Sequence, residues 1–498
     1  MRRREFLRLS GGLLAGGMLA GCASSSSAPA GATTSSARGG ARPGGSTSAS
    51  GTSSTSTMPA GPGDLSSLAR ELQGELVLPS SPSYAADAES YNPVFDGARP
   101  LAIAYVESAR DVVAAVGYGK DRGVPLSIRS GGHCYGGWST GPGLVIDVSR
   151  LSAVSVAAAA VSAGTGTRLI DLYAALARSG VAVPGGSCPS VGLAGLALGG
   201  GLGVLDRKFG LTSDNMLSAE VVLASGDVVT CSSSERTDLF WALRGAGGGN
   251  FGVVTSMKLR AHPIGELAIF TLVWPWPSAP QVVAAWQEWA PPGPDELWSN
   301  CLLLASQDTP SGVGPVARVT GVYVGSQAAL QAEVDNLVAA VGAGPFDHFV
   351  GAGGYLDTML IEAGCGGDSV AECHLPSQQP GGILTRAPFA AKSDFVTARL
   401  ASGGISTLLA AVEARESSPV LSGGGVALDA SGGAINRLAP NATAFVHRDA
   451  LFSLQYSANW PEGAPGSLVQ ANRQWLQASW QSMRPYVSGQ AYQNYADP

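Results

Sequence analysis

Two side chains able to bond covalently to an electrophilic carbon sit in glycine-rich stretches: His133 in RSGGHCYGGWS, residues 129–139, and Cys188 in PGGSCPSVGLAGLALGGGLG, residues 184–203. Histidine is scarce, with five in the chain, so its place in such a stretch is informative. Glycine lets backbone N–H groups come close to a ligand, and successive N–H groups form concave anion sites. Two loops of this kind suit a pyrophosphate and a flat ring system. Potential nucleophiles inside them point to a cofactor tethered to the protein. Neither His133 nor Cys188 has a partner at the sequence spacing of a catalytic triad, although partners distant in sequence stay possible.

Other patterns match a motif but lack its context. Gly137-Trp138-Ser139-Thr140-Gly141 fits the serine nucleophile elbow, which must join a strand to a helix; here Pro142-Gly143 and the strand-like LVIDV follow. Residues 247–252, GGGNFG, fit GxGxxG, which should follow a strand and open a helix. The order is reversed, with helical ERTDLFWALRG before and strand-like VVTSMKLR after. No cysteines or histidines stand at short zinc-type spacings, so no metal is expected, and His262, His348 and His447 read as structural.

The elements that must position the loops follow from periodicity. SARDVVAAVGYGKDRG and DLYAALARSG have helical apolar spacing, GLVIDVSRL and AEVVLASGDVVT are β-branched runs, and VAVPGGSCPSVG is a strand that breaks into loop. Beyond Glu266 come the strands LAIFTLVW and VARVTGVYVG, the helix SQAALQAEVDNLVAAVG, and FSLQYSANW, which alternates with Phe452, Leu454 and Tyr456 on one side and Ser453 and Gln455 on the other. The fold expected is α+β in two domains, 63–265 and 266–480, with the boundary near Pro263.

Composition narrows the function classes. The 498 residues carry a formal charge of −7 and 13% charged residues, against an average of about 25%. Nucleic acid is not an expected partner, because phosphate binding needs clustered Lys and Arg, and no apolar run is long enough to span a bilayer. Residues 1–22, MRRREFLRLSGGLLAGGMLAGC, have the anatomy of an export signal. The Arg3-Arg4-Glu5-Phe6-Leu7 stretch resembles a twin-arginine signal, and Leu19-Ala20-Gly21-Cys22 a bacterial lipobox that would leave lipid chains on Cys22 and hold the protein at a membrane surface. A cleaved secretory signal with an incidental cysteine is the alternative. Residues 23–62 are Ser, Thr, Ala, Gly and Pro with almost no large apolar residue, a tether spanning roughly 35 Å.

At the His133 and Cys188 stretches the sequence resembles the berberine bridge enzyme-like flavoproteins, in the superfamily of vanillyl-alcohol oxidase and p-cresol methylhydroxylase. The resemblance runs from Tyr91 to the C-terminus and includes GLTSDNMLSAEVVLASGDVV, WALRGAGGGNFGVVT, FAAKSDFV, GGAINRLAPNATAFVHRDALF and AYQNYAD. It implies a PCMH-type FAD-binding domain and a substrate domain built on an antiparallel sheet backed by helices. It also implies covalent FAD, with His133 on the 8α carbon and Cys188 on C6; a buried free Cys188 with His133 as the sole link is the alternative. Arg129, Ser130, Gly131, Gly132, Ser139, Gly192, Gly199, Gly200, Asn250, Val254 and Asn494 are the further expected cofactor contacts. Cys134 reads as a small buried residue, and Cys365 with Cys373 match a pair that forms a disulfide in relatives; Cys231 and Cys301 have no obvious partner.

The implied reaction is hydride transfer from a substrate carbon to flavin N5, with loss of a hydroxyl proton if the substrate is an alcohol. A base is then needed within hydrogen-bond reach. The resemblance gives that role to Tyr492 in AYQNY, the alternative being an aromatic that covers the flavin, and makes Gln455, Asp429 and Tyr135 polar substrate contacts. Val191 matches an oxygen gate and favours an oxidase releasing peroxide. The expected substrate is a small molecule, a sugar or oligosaccharide, with O2 as acceptor and no protein partner implied. Oxidation of a polyketide- or alkaloid-type metabolite, and a flavoprotein kept for binding with catalysis lost, are the other readings. Relatives continue past this motif into a further helix, whereas the sequence stops at Asp497-Pro498, so lost support or an incomplete sequence is expected.

Overall fold

The computed structural model describes residues 64–309, 313–418 and 422–497. The expected export signal with Cys22, and the expected tether, lie outside the described residues.

The first half builds three sheets. Strands β1 (Glu75–Val77), β2 (Ala102–Tyr105), β3 (Leu126–Arg129) and β4 (Leu144–Asp147) form a sheet in the order β1-β2-β4-β3. The crossover from β2 to β3 is the helix Ala109–Arg122, capped by the Ser108 hydroxyl, which accepts from Asp111 N, and ended by Gly123 at φ 63°. Its Val112, Ala115 and Val116 face bury against Ala102, Ala104 and Ile146. Strands β5 (Val154–Ala157), β6 (Ala160–Gly164), β8 (Met216–Val222), β9 (Val228–Ser232) and β10 (Val253–Arg260) form a second sheet in the order β5-β6-β10-β8-β9, while β7 (Val181–Ala182) pairs with β11 (His262–Pro263).

The second half is one antiparallel sheet of seven strands: β12 (Leu267–Pro275), β13 (Leu297–Leu304), β14 (Val316–Val324), β15 (Asp347–Gly353), β16 (Phe389–Val396), β17 (Gly424–Ala430) and β18 (Phe452–Asn459), in the order β15-β12-β14-β13-β17-β18-β16. Its two faces differ as the alternation in β18 requires. Phe452, Leu454 and Tyr456 join a core with Trp286 and Trp475 from the helices Ala279–Trp289 and Gly466–Met483. On the other face, register places Asn300 opposite Asp429 and Asp429 opposite Ser453, with Gln455 opposite Ser393. That polar face turns toward the first half of the chain, since Gln455 Nε2 donates to the Tyr135 hydroxyl at 3.2 Å. The chain therefore has a two-domain α+β fold.

The C-terminal segment crosses between the halves. Phe395 N donates to Gln490 O and Ser488 N to Phe395 O, extending β16, while Asn494 Nδ2 donates to Leu196 O at 3.0 Å. Cys365 and Cys373 form a disulfide, and Cys134, Cys231 and Cys301 are free.

Candidate active site

The glycine loops meet because nothing larger fits between them. A Cβ on Gly131 would lie 2.3 Å from Gly192 N, and one on Gly192 would lie 1.9 Å from Ser130 Oγ. Backbone packed on backbone makes one wall of a cavity of about 880 Å³. Its lining includes Ser130, Gly131, Gly132, His133, Ser139, Cys188, Val191, Gly192, Asn250, Val254, Tyr492 and Asn494, all expected from sequence. Arg129, Gly199, Gly200, Gln455 and Asp429 are not on this wall. Arg129 is buried in an ion pair with Asp147 that ties β3 to β4, its Nε 2.5 Å from Oδ2. A Cβ on Gly199 would meet Asn494 Oδ1 at 2.1 Å and one on Gly200 would meet Phe445 Cδ2 at 2.6 Å, so these glycines admit the C-terminal segment and Phe445.

His133 is held on two sides. Its ring stacks on Tyr91 with centroids 3.7 Å apart and 17° between planes, and its Nε2 lies 2.9 Å from Ser190 Oγ. Burial, helped by the positive Arg168, pushes its pKa down to about 3, so the imidazole is neutral with one lone pair available. Cys188 lies on the same wall, its sulfur in a disulfide. Val191 follows in the same turn, with Val191 N donating to Cys188 O.

Tyr492 and Tyr495 line the same cavity. The Tyr492 phenolic oxygen receives three N–H donors: Gly201 N at 3.0 Å, Leu202 N at 3.1 Å and Asn494 Nδ2 at 2.9 Å. Burial pushes this phenol above its ordinary pKa, and the three donors pull against that shift. Asn494 thus bonds Tyr492 and Leu196, and it lines the cavity as well. Tyr495 lines the cavity beside them, stacked on Tyr135 at 5.1 Å and edge-on to Tyr492. Beyond this tyrosine layer lies the polar sheet face, where burial raises Asp429 to about 6.

Sequence reasoning missed Tyr91, Ser190, Tyr495 and Asp206. Ser190 and Tyr495 stood inside the quoted motifs, two and three residues from Cys188 and Tyr492. Tyr91 carried no signal, because its contact with His133 spans separate elements. Asp206 is buried at the start of the short helix Asp206–Phe209, accepts from Gly203 N at 3.0 Å, and is raised to about 8 by burial.

The cavity has the volume of a large-ligand site, and its walls are bare backbone around a neutral histidine, which suits a dinucleotide with a flat ring. The profile of an FAD binding domain matches residues 100–232. An uncharacterised FAD-linked oxidoreductase of Bacillus subtilis is 31% identical over 436 residues, covering 86% of this chain and 89% of the relative. The chitooligosaccharide oxidase of Gibberella zeae is 31% identical over 81% of this chain and 80% of its own length. The solved structure of Physcomitrella patens BBE-like 1 superposes with a TM-score of 0.78 at 29% identity, over 87% of this chain and 91% of that one. This chain belongs to the berberine bridge enzyme-like family. It is an FAD-linked oxidoreductase.

Proposed function

We propose that the enzyme oxidises a CH–OH carbon of a sugar or oligosaccharide, with dioxygen as the acceptor and H2O2 as product. Bound FAD supplies the hydride acceptor and, once reduced, an electron donor to dioxygen. The observation that carries the reading is the three-donor cage on Tyr492. A neutral phenol oxygen has two lone pairs and a hydrogen to place, whereas a phenolate oxygen takes three donors. The N–H groups of Gly201, Leu202 and Asn494 therefore work against the burial that raises this phenol, stabilising the anion that would take a proton from a substrate hydroxyl.

The substrate class is argued from the polar sheet face. Gln455 Oε1 is buried there without a hydrogen-bond partner, close to Asp429 and Ser453, which face each other across β17 and β18. Buried polar atoms are normally paired, and the hydroxyls of a sugar would supply partners. A chitooligosaccharide oxidase among the relatives supports the same class.

Val191 is assigned as the oxygen gate. Among solved variants of Phl p 4, one is a glucose dehydrogenase, and the one with a further isoleucine-to-valine change a glucose oxidase, which supports valine as permissive for dioxygen. His133 and Cys188 are assigned as covalent flavin anchors. Nε2 of His133 is committed to Ser190, which leaves Nδ1 for the bond. The Cys188 link forms from its thiol, so that bond and a disulfide at Cys188 exclude one another. Export as a twin-arginine lipoprotein anchored through Cys22 completes the proposal, and labelling with a radioactive fatty acid tests it.

The deciding experiment is peroxide release across a panel of donors. Peroxide from oligosaccharides is the expected result. Peroxide only from hydrophobic alcohols would assign a secondary-metabolite oxidase, and none from any donor would assign a binding flavoprotein.

A further inference from the structure

The residues that hold His133 are not among those expected to touch FAD, and they form a unit. Cys188, Pro189, Ser190 and Val191 make one turn, closed by Val191 N donating to Cys188 O at 3.3 Å. Proline in second place presets the turn's φ. The helix Leu169–Ala177 fastens it, with Leu169 N donating to Val191 O and Ile170 N to Pro189 O. Ser190 is buried in this turn and its Oγ meets His133 Nε2 at 2.9 Å. On the ring's face Tyr91, also buried, stacks at 3.7 Å, its own N donating to Gly132 O next to His133.

We infer that Ser190, with Tyr91, is a positioning residue for flavin attachment: it fixes the tautomer and plane of His133 so that Nδ1 presents its lone pair, and it ties that nitrogen to the turn carrying Cys188. The inference rests on the reading that His133 bonds the flavin. The chemistry asks for a hydroxyl here. When the Nδ1 lone pair forms the C–N bond at the 8α carbon, one proton leaves that carbon and the Nε2 proton leaves the ring. The two electrons stay on the flavin and pass to dioxygen, which takes both protons as H2O2. Nε2 is a donor before this step and an acceptor after it. Ser190 Oγ accepts in the first state and donates in the second, a change of role that a carboxylate or a methyl group could not follow.

The test uses the full chain with Cys188→Ala, so that only the histidine link can form, and follows flavin fluorescence retained on denaturing gels. Yellow colour before denaturation reports folding and flavin binding. Adding Ser190→Ala is expected to slow attachment about fivefold, the effect of one hydrogen bond of ordinary strength, with the colour kept. NMR of the flavin peptide is expected to find the parent attached at Nδ1 and the alanine variant with Nε2 attachment mixed in. Ser190→Thr is expected to restore the rate and the regiochemistry. Unchanged rate and nitrogen in Ser190→Ala would overturn the inference while leaving the histidine link standing. A colourless Ser190→Ala chain would also overturn it, by making Ser190 a folding residue. No retained fluorescence in Cys188→Ala alone would overturn the parent reading of His133, and the inference with it.

Discussion

Replacing Tyr492 by phenylalanine keeps the ring and removes the oxygen on which Gly201 N, Leu202 N and Asn494 Nδ2 converge. Asn494 keeps its bond to Leu196 O, so the direct loss falls on two backbone donors in a buried loop. Each unmet buried donor costs about 1–3 kcal/mol, giving about 2–6 kcal/mol for the pair. In a domain of this size that lowers Tm by about 4 °C or more. Removing a general base lowers kcat by roughly 10²- to 10⁴-fold. Thermal unfolding followed by flavin fluorescence reads the first effect, and anaerobic flavin reduction in a stopped-flow instrument reads the second without the oxygen step. A Tm within about 1 °C of the parent would refute the reasoning, because two buried backbone donors cannot lose their acceptor at no cost. A destabilised variant with unchanged flavin reduction would confine Tyr492 to loop anchoring and pass the proton role to Tyr495.

Three further outcomes follow from other parts of the site. Gly131→Ala places a Cβ 2.3 Å from Gly192 N and 2.9 Å from Ser190 O; backbone on both sides cannot yield, so the purified protein is expected to lose flavin, read as the ratio of visible to protein absorbance. Val191→Ile is expected to slow reoxidation by dioxygen while leaving turnover with an artificial dye acceptor intact, measured by running both assays on one preparation. Folded Asp206 keeps its proton up to about pH 8, whereas the unfolded side chain loses it near pH 3.9, so the folded state binds more protons across that window and stability falls as pH rises through it. Asp206→Asn removes this slope, and a Tm that declines equally with pH in both proteins would contradict the assignment.

The parts of the fold that could be read from sequence are those whose signal is local. Ser108 and Gly123 bracket a helix with their own chemistry, and the alternation of β18 separates Tyr456 in the helix-backed core from Gln455 on the cavity side. His133 and Cys188 stood out because glycine-rich stretches rarely hold such side chains. What escaped depended on long-range contact. Tyr91 lies 42 positions from the histidine that it stacks on. The glycines at 199 and 200, expected as cofactor contacts, make room for Asn494 and Phe445, a role that no local pattern reveals. Asp206 was invisible because burial, not spacing, raises its pKa.

The most direct measurement is peptide mass analysis of the purified chain after denaturation and digestion. The account predicts the peptides carrying His133 and Cys188 joined in a single species whose excess mass is that of one FAD less the hydrogens lost in bonding. Both peptides at their unmodified masses, with the yellow colour washed out by the denaturant, would contradict it.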